Sequence, residues 1–452
     1  MNIENGYVKL EKGELAKYYR YLDKGFEYPV YLEKIIVKVI LERLGIEYDS
    51  YRDELKELFE LIPDDEINKW ISVIDGLYKD EDKVSYKNIK NEYLAYYLPM
   101  NTFKIHRLLR DLLQNGLLKV NPCILDIGCG PGSATIGVIE FYKDIALRMQ
   151  DVEFNVSITL LDAESEFLEI GKQCIEKIKN TLPSNLKLTM RDRIHCKIDE
   201  KFKIKYCYDY LIISNLLNGS EIDKDFSKDK LFEEVVSSTS KTGAILIIEP
   251  GENRQCDRLK RIRNDILCNF EKINIYSPCN NVWGEKTEYN CRCFSNGKLS
   301  WHRPYIIDRL IDKGLQKKVN RPAFNYLILR KDGKTKYNIE NYRTQYTRLK
   351  DVKKKNNNYI SVKGVVRCVM EIGNYLWVSI CDGTENLNNN KHYSISIRLN
   401  DRNMVDKYYD LLKSMNIGEK IIAKNVKCEK MWKYPESYLL NVDDTTELTC
   451  IF

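Results

Sequence analysis

Two groups of residues have the types and spacing to do chemistry. The first is Asp126-Ile-Gly-Cys-Gly-Pro-Gly132, which follows the apolar Cys123-Ile-Leu125, together with Asp162, which follows Ser157-Ile-Thr-Leu-Leu161. Glycines at 128, 130 and 132 let backbone pass close to a ligand without a Cβ in the way, and Cys129 stands between two of them. The two carboxylates offer acceptors beside that turn. The second group is Cys279 with Cys291-Arg-Cys293, and Cys256 and Cys268 lie upstream. Clustered thiols suggest zinc or an iron–sulfur cluster, although C-x11-C-x-C matches no common finger.

These residues need elements to position them. An apolar run, a glycine turn and a segment of helical periodicity (Ser133 to Tyr142) read as strand, turn and helix. From 116 to 330 strands alternate with helices, which predicts an α/β domain with a doubly wound, mostly parallel sheet covered on both faces. The predicted strands are 124–127, 158–161, 186–190, 209–215, 243–250 and 324–329. Ligands bind outside the carboxyl ends of such strands, where Asp126, Asp162, Asp192, Asn215 and Glu249 fall. Residues 1–115 read as a helical domain, with Pro99 ending one helix and Asn101 capping the next.

Residues 331–358 read as a basic linker. Ten Lys or Arg stand against three acids between Arg330 and Asn358, and the stretch includes Lys353, Lys354 and Lys355. A run of this kind is either solvated surface or a phosphate contact. The tail, 359–452, reads as three strands, a helix and two strands, the order of an OB-fold, a small barrel that commonly binds oligonucleotides. A bend or bulge is expected at Gly364. Tyr375, Trp377, Tyr393, Arg398 and Trp432 are candidates for stacking and phosphate contact, with core packing the alternative for Trp377 and Tyr393.

The 452 residues are enough for two or three domains, each with its own core. With 43% hydrophobic and 31% charged residues the chain is of the globular class, and a net charge of +6 favours an acidic partner weakly. No apolar run approaches the ~20 residues that span a bilayer, so no membrane association is expected. The first residues carry acids and no apolar core of a secretory signal, so a cytoplasmic location is expected. Fourteen cysteines spread along the chain point to reduced thiols or metal ligands rather than disulfides.

Gly-x-Gly-x-Gly departs from the Gly-x-Gly-x-x-Gly of nicotinamide enzymes. Asp162 also lies thirty positions beyond Gly132 rather than about twenty, which argues against that cofactor. The glycine turn and Asp162 resemble the first motif and strand-two acid of class I S-adenosylmethionine-dependent methyltransferases. That resemblance implies S-adenosyl-L-methionine as cofactor, with Asp126 facing its amino end and Asp162 accepting both ribose hydroxyls. Asp192 would contact adenine, and Gly128, Cys129, Gly130, Gly132 and Asn215 complete the expected set.

No motif for the methyl acceptor stands out. Asn215 is followed by Leu-Leu-Asn rather than a proline–aromatic pair, and the Pro278-Cys279 pair alone assigns no covalent mechanism. The catalytic residues are therefore unassigned.

Tyr93-Leu-Ala-Tyr-Tyr-Leu-Pro99, the glycine turn, Ile248-Glu-Pro-Gly251 and Ser277-Pro-Cys279 with the later Cys291-Arg-Cys293-Phe294 resemble a further family over roughly 85–330. It is the small-ribosomal-subunit assembly methyltransferase-like family of mitochondria and bacteria. The resemblance implies binding to small-subunit ribosomal RNA or its precursor, and an iron–sulfur cluster held by four cysteines. Cys256, Cys279, Cys291 and Cys293 are the candidates here, although the family's Pro-Cys-Pro run and later cysteine–histidine pair are absent or altered. The expected function is methyl transfer to RNA. A non-catalytic RNA-binding assembly factor and a protein or small-molecule methyltransferase are the alternatives.

Overall fold

A computed structural model describes residues 1–10, 26–49, 51, 53–77, 88–217, 225–279, 281–283, 296–298, 301–316, 322–337, 345–384, 393–415, 418–431 and 437–451. The chain forms two compact units that do not follow the order of the sequence. One comprises Met1–Leu259 and Ser295–Ile328, the other Lys260–Phe294 and Leu329–Phe452. The expected boundary at 330 falls beside the third change of unit, at 328/329. Residues 260–294, expected within the 116–330 domain, group with the tail instead.

The first unit is built on a sheet of strands β1 (Cys123–Ile127), β2 (Phe154–Asp162), β3 (Leu186–His195), β4 (Tyr208–Ser214) and β5 (Thr239–Pro250). The Ala323–Arg330 strand, here β6, joins it through its residues up to Ile328, giving the order β6-β5-β4-β1-β2-β3. The pairs β1–β2, β1–β4, β2–β3 and β4–β5 are all parallel. Near-continuous apolar runs explain this, because strands buried on both faces need no polar alternation. Leu211, Ile212, Ile213, Ile245, Leu246 and Ile247 are all fully buried.

β3 runs to His195, five residues past its expected end. A register shift at Arg191 breaks the alternation there, which hides the strand's second half from a pattern reading.

The N-terminal region is mainly helical but opens with a hairpin, Asn2–Glu4 with Tyr7–Lys9, that also pairs with Leu118–Lys119. Helix α1 spans Val30–Leu44. A π-helical turn at Tyr93–Tyr97 leads directly into α2 (Leu98–Thr102), followed by α3 (Ile105–Gln114). Pro99 therefore does not end the helical run as expected. It sits in the first turn of α2, where a missing N–H costs least. Asn101 likewise does not act as a cap; its side chain accepts from Lys104 Nζ.

Helix α4 (Ser133–Arg148) follows the glycine turn and meets α2 at Gly137. A Cβ on Gly137 would lie 1.9 Å from the Thr102 carbonyl oxygen and 2.6 Å from Ile105 Cγ2. Only hydrogen fits, so the α2–α3 segment rests directly on α4. Helix α5 (Ser165–Lys179) crosses from β2 to β3.

In the second unit, β7 (Tyr359–Ile372), β8 (Tyr375–Cys381), β9 (Tyr393–Arg398), β10 (Lys420–Lys430) and β11 (Tyr438–Asn441) pair in the order β7-β8-β9-β11-β10. A further β7–β10 pairing returns the path to its first strand. All these pairings are antiparallel except β9–β11. Helix α6 (Arg402–Lys413) lies between β9 and β10, and Asp401 caps it by accepting from the Met404 N–H. A final strand, β12 (Glu447–Ile451), pairs with β10 and was not expected.

The register shifts in β7 flank Gly364, at Ile360/Val362 and Val366/Cys368, and bend the strand on both sides of it. Leu349 and Val352, from the stretch expected to be a plain linker, are fully buried in the core of this unit. Its short 3-10 helix, Leu349–Lys355, is thus apolar on the core side and keeps Lys353, Lys354 and Lys355 exposed.

Asp382 anchors the rest of this unit. Buried, it accepts from the N–H groups of Leu349 and Thr384, the Thr384 hydroxyl and the Trp283 indole N–H. The Arg348 guanidinium and Lys363 ammonium lie 4.8 and 4.2 Å from the Trp283 ring.

Candidate functional site

The site is assembled at the carboxyl ends of β1, β2, β4 and β5 in the first unit. Gly128, Gly130 and Gly132 all adopt positive φ (65°, 53° and 85°), the conformation that favours glycine. The N–H groups of Gly128 and Cys129 donate to Leu161 O, which ties the turn to the end of β2. The Gly130 N–H donates to Asp162 Oδ2 at 2.7 Å, and the Glu164 N–H to Asp162 Oδ1 at 2.8 Å. Each carboxylate oxygen has a second lone pair, so Asp162 keeps acceptor capacity for two hydroxyls. Burial raises its carboxyl above the usual range.

The glycines differ in what they face. A Cβ on Gly128 would lie 2.6 Å from Leu216 Cδ1, so that close approach is made by the chain's own loop after β4. At Gly130 the nearest atom to such a Cβ is the Tyr93 hydroxyl, at 3.8 Å. Gly130 is thus where backbone is open to a ligand, with Tyr93 above it and packed edge-on against Phe167. Cys129 is buried and its thiol is pushed well up by burial, so it packs as a neutral group.

Asp126 is fully buried. The Thr135 hydroxyl donates to its Oδ2 at 2.7 Å, while Oδ1 takes no hydrogen bond from any described residue. Burial pushes its carboxyl up to about 7. Asn215 ends β4 in the left-handed region (φ 54°), and its N–H donates to Ile248 O. The two residues after it, Leu216 and Leu217, donate their N–H groups to Glu249 Oε1 at 3.1 and 2.9 Å.

Asp126, Gly128, Cys129, Gly130, Gly132, Asp162 and Asn215 therefore come together as expected from strand ends. Asp192 does not lie at a strand end. It is exposed within β3, level with Thr159, and His195 is level with Asp162.

Sequence reasoning placed Glu249 at a strand end without a role and passed over Lys104. Lys104 is 4% exposed and donates to Asn101 Oδ1 at 2.6 Å, and burial pulls it down to about 8. No sequence signal marks a lysine for burial; the only hint is its place just after the Leu-Pro segment.

The Cys256 thiol is buried over Gly251 O in the first unit, Cys279 is buried in the second, and Cys291 and Cys293 lie outside the described residues. Among the described residues no group of three or more His, Cys, Asp or Glu is arranged to hold a metal ion. Among the described residues no cysteine is in a disulfide.

On the second unit, Leu376, Val378 and Ile380 point into the core, which turns Tyr375 and Trp377 to the opposite face. Register sets Tyr375 beside Ile372 and Arg398, and Trp377 beside Met370 and Ser396. The Arg398 guanidinium is 5.9 Å from the Tyr375 ring. Met370 and Ile372 are exposed at 40% and 43%. One face thus carries two half-buried aromatics, two exposed apolar side chains and a cation. Tyr393 is instead buried in the core, its ring stacked on Tyr438. Trp432 lies outside the described residues.

The sheet order and the glycine turn closed by the β2 acid define a class I methyltransferase-like α/β fold. A family model described as mitochondrial small ribosomal subunit Rsm22 matches residues 90–391, two thirds of the chain. The chain belongs to that family.

Among solved structures, a methyltransferase from Aquifex aeolicus is 12% identical, covering 54% of this chain and 99% of its own (TM-score 0.30). One from Pyrococcus furiosus is 15% identical over 50% of this chain and 82% of its own (TM-score 0.27). Trm5b from Pyrococcus abyssi is 11% identical over 51% of this chain (TM-score 0.27), and the match spans about half its length, 49%. A comparison with curated proteins gives no match. No described helix is long and apolar enough to cross a membrane.

Proposed function

We propose that the chain is an S-adenosyl-L-methionine-dependent methyltransferase acting on RNA, with small-subunit ribosomal RNA as its substrate. The observation that carries the cofactor is the pairing of a buried acceptor, Asp126 Oδ1, with the open backbone at Gly130 and the spare lone pairs of Asp162. These residues fit the group: Asp126 for its amino end, Gly130 for close backbone approach, Asp162 for the ribose hydroxyls. The bound cofactor supplies a methyl group on a sulfonium. The chain's part is to hold and orient it, and the glycine turn, with Leu216 packed against Gly128, serves that end. Asp192, exposed along β3, is a weaker fit for an adenine contact than the segment that follows His195. The cysteines are not part of this reading.

The RNA half rests on family membership and on the aromatic face of the second unit. The ring of pairings there, with parallel β9–β11 and a helix between β9 and β10, supports an OB-like barrel. Bases stack on aromatic side chains of such barrels, and Arg398, Lys353, Lys354 and Lys355 would meet phosphates. A cytoplasmic location, or the mitochondrial one of the family's description, puts the chain beside ribosomal RNA.

Calorimetric titration with S-adenosylmethionine is expected to give one site per chain, and no binding would overturn the proposal. Tyr375→Ala should weaken RNA binding by about 1–3 kcal/mol. Arg398→Ala should reduce the salt slope by about one. RNA binding that ignores both substitutions and salt would instead favour a protein or small-molecule substrate. Binding of both cofactor and RNA without transfer of labelled methyl would favour a non-catalytic assembly factor.

A further inference from the structure

The segment Tyr93-Leu-Ala-Tyr-Tyr97 stands beside the cofactor turn, and the cofactor contacts above give it no role. It folds as a π-helical turn, a form that recurs at functional sites. Tyr96 is fully buried, whereas Tyr93 and Tyr97 are half-buried, with ring centroids 5.5 Å apart. The Tyr93 ring also lies 5.5 Å from that of Phe167, in the first turn of α5. Glu166, next to Phe167, pairs with Lys90 and with Arg43, and Arg43 donates to Asn91 Oδ1 at 2.8 Å. The residues that lead into the π-helical turn are thus tied to α5, and its first aromatic is held in place.

The orientation of that ring follows from two distances. A Cβ on Gly130 would lie 3.8 Å from the Tyr93 hydroxyl oxygen and 3.9 Å from its Cζ, and no other atom of the ring would come within 4 Å. Near-equal distances put the C–O bond broadside to Gly130. An edge-on ring would bring a Cε carbon closer than Cζ, so the face of the phenol looks onto the turn.

What meets this face follows from the order of the cofactor contacts. In S-adenosylmethionine the sulfonium links the amino-acid chain to the ribose. Asp126 takes the amino end and Asp162 the ribose hydroxyls, and the Gly130 N–H is bonded to Asp162. The turn between the two acids would therefore run along the sulfonium. Aromatic rings attract cations to their negative faces, more strongly where water is excluded.

Resting on the reading of the chain as an S-adenosylmethionine-dependent methyltransferase, we propose that Tyr93 distinguishes the cofactor from its demethylated product by charge. S-adenosylmethionine is positive at sulfur, and S-adenosylhomocysteine has a neutral thioether there. The Tyr93 face holds the first and does little for the second, which favours exchange after turnover. Tyr93 is a binding residue in this proposal and moves no proton.

The test is calorimetry of the full chain with S-adenosylmethionine, S-adenosylhomocysteine and sinefungin, which bears an amine in place of the S-methyl group. Tyr93→Leu should shrink the affinity ratio of S-adenosylmethionine to S-adenosylhomocysteine about fivefold or more, and that of sinefungin in the same direction. Affinity for S-adenosylhomocysteine should stay within about threefold of the parent, which also reports that the variant is folded. Tyr93→Phe keeps the ring and should keep the ratio within about twofold. If Tyr93→Leu does not fold, a trifluorinated phenylalanine at the same position carries the test. It has nearly the shape of Phe with an electron-poor face, and should lose the preference that Phe keeps. An unchanged ratio in Tyr93→Leu or in the fluorinated protein, or equal weakening of all three ligands, overturns the proposal. A parent protein that binds none of the three removes the methyltransferase reading instead.

Discussion

Asp126→Asn is expected to stabilise the ligand-free protein at pH 8 while cutting its affinity for S-adenosylmethionine at least about tenfold. The Asp126 carboxyl stands at about 7 in the folded chain against 3.8 for an ordinary Asp, because burial disfavours its charge. Below pH ~4 it is protonated in both folded and unfolded chains and costs nothing. As pH rises through about 7 the folded chain must ionise it in place, at a cost on the order of 4 kcal/mol. Stability associated with this group is therefore lost progressively as pH rises from about 4 to about 7, and stays lost above that. Asn keeps the Thr135 hydrogen bond and removes the charge, so it should recover about 2–4 kcal/mol at pH 8 and nothing at pH 4. Chemical unfolding at the two pH values measures the first effect and calorimetry the second. A variant that gains no stability, or that binds the cofactor undiminished, would show that the buried charge is not kept for a cationic ligand.

Gly137→Ala is the second large effect, and its sign runs against propensity. An exposed helical Gly→Ala change usually stabilises by up to about 1 kcal/mol. Here the new methyl would meet the Thr102 carbonyl oxygen at 1.9 Å, a backbone atom that cannot swing aside. Either α4 moves or α2 lifts, and we expect a loss of about 3 kcal/mol or more. Because α2 leads into Lys104, the same change should expose that lysine. Amine-reactive labelling of Lys104, followed by mass spectrometry, should rise together with the loss of stability. Normal stability in Gly137→Ala would contradict the packing described.

The strand ends that carry Asp126 and Asp162 were legible because their signals are local. Apolar runs ending in Asp126 and Asp162 mark strand ends, and three glycines at alternate positions require backbone that other residues rarely adopt. The strand–helix alternation of the first unit and most strands of the second are likewise written in patterns a few residues long. Asp192 was misplaced because one extra residue at Arg191 resets the alternation, and the strand beyond it looks like a loop. Pro99 misled for a related reason: the π-helical turn before it changes the hydrogen-bond ladder that proline would otherwise break. The burial of Lys104 and the hold of Glu249 on the loop after β4 depend on contacts between distant segments. So does the membership of residues 260–294 in the second unit, where Trp283 meets Asp382. No window of sequence contains both partners.

That last contact also orders events in time. Trp283 leaves the ribosome 99 positions before Asp382, the carboxylate that receives its indole N–H. At about 5–20 residues per second the interval is roughly 5–20 s. The ring of strands waits longer still, since Tyr359 pairs with Lys427. For that interval an aromatic side chain destined for a charged, structured niche is without one. A truncated chain that stops before Asp382 would keep it so permanently, so the length of the nascent chain sets when this niche can form.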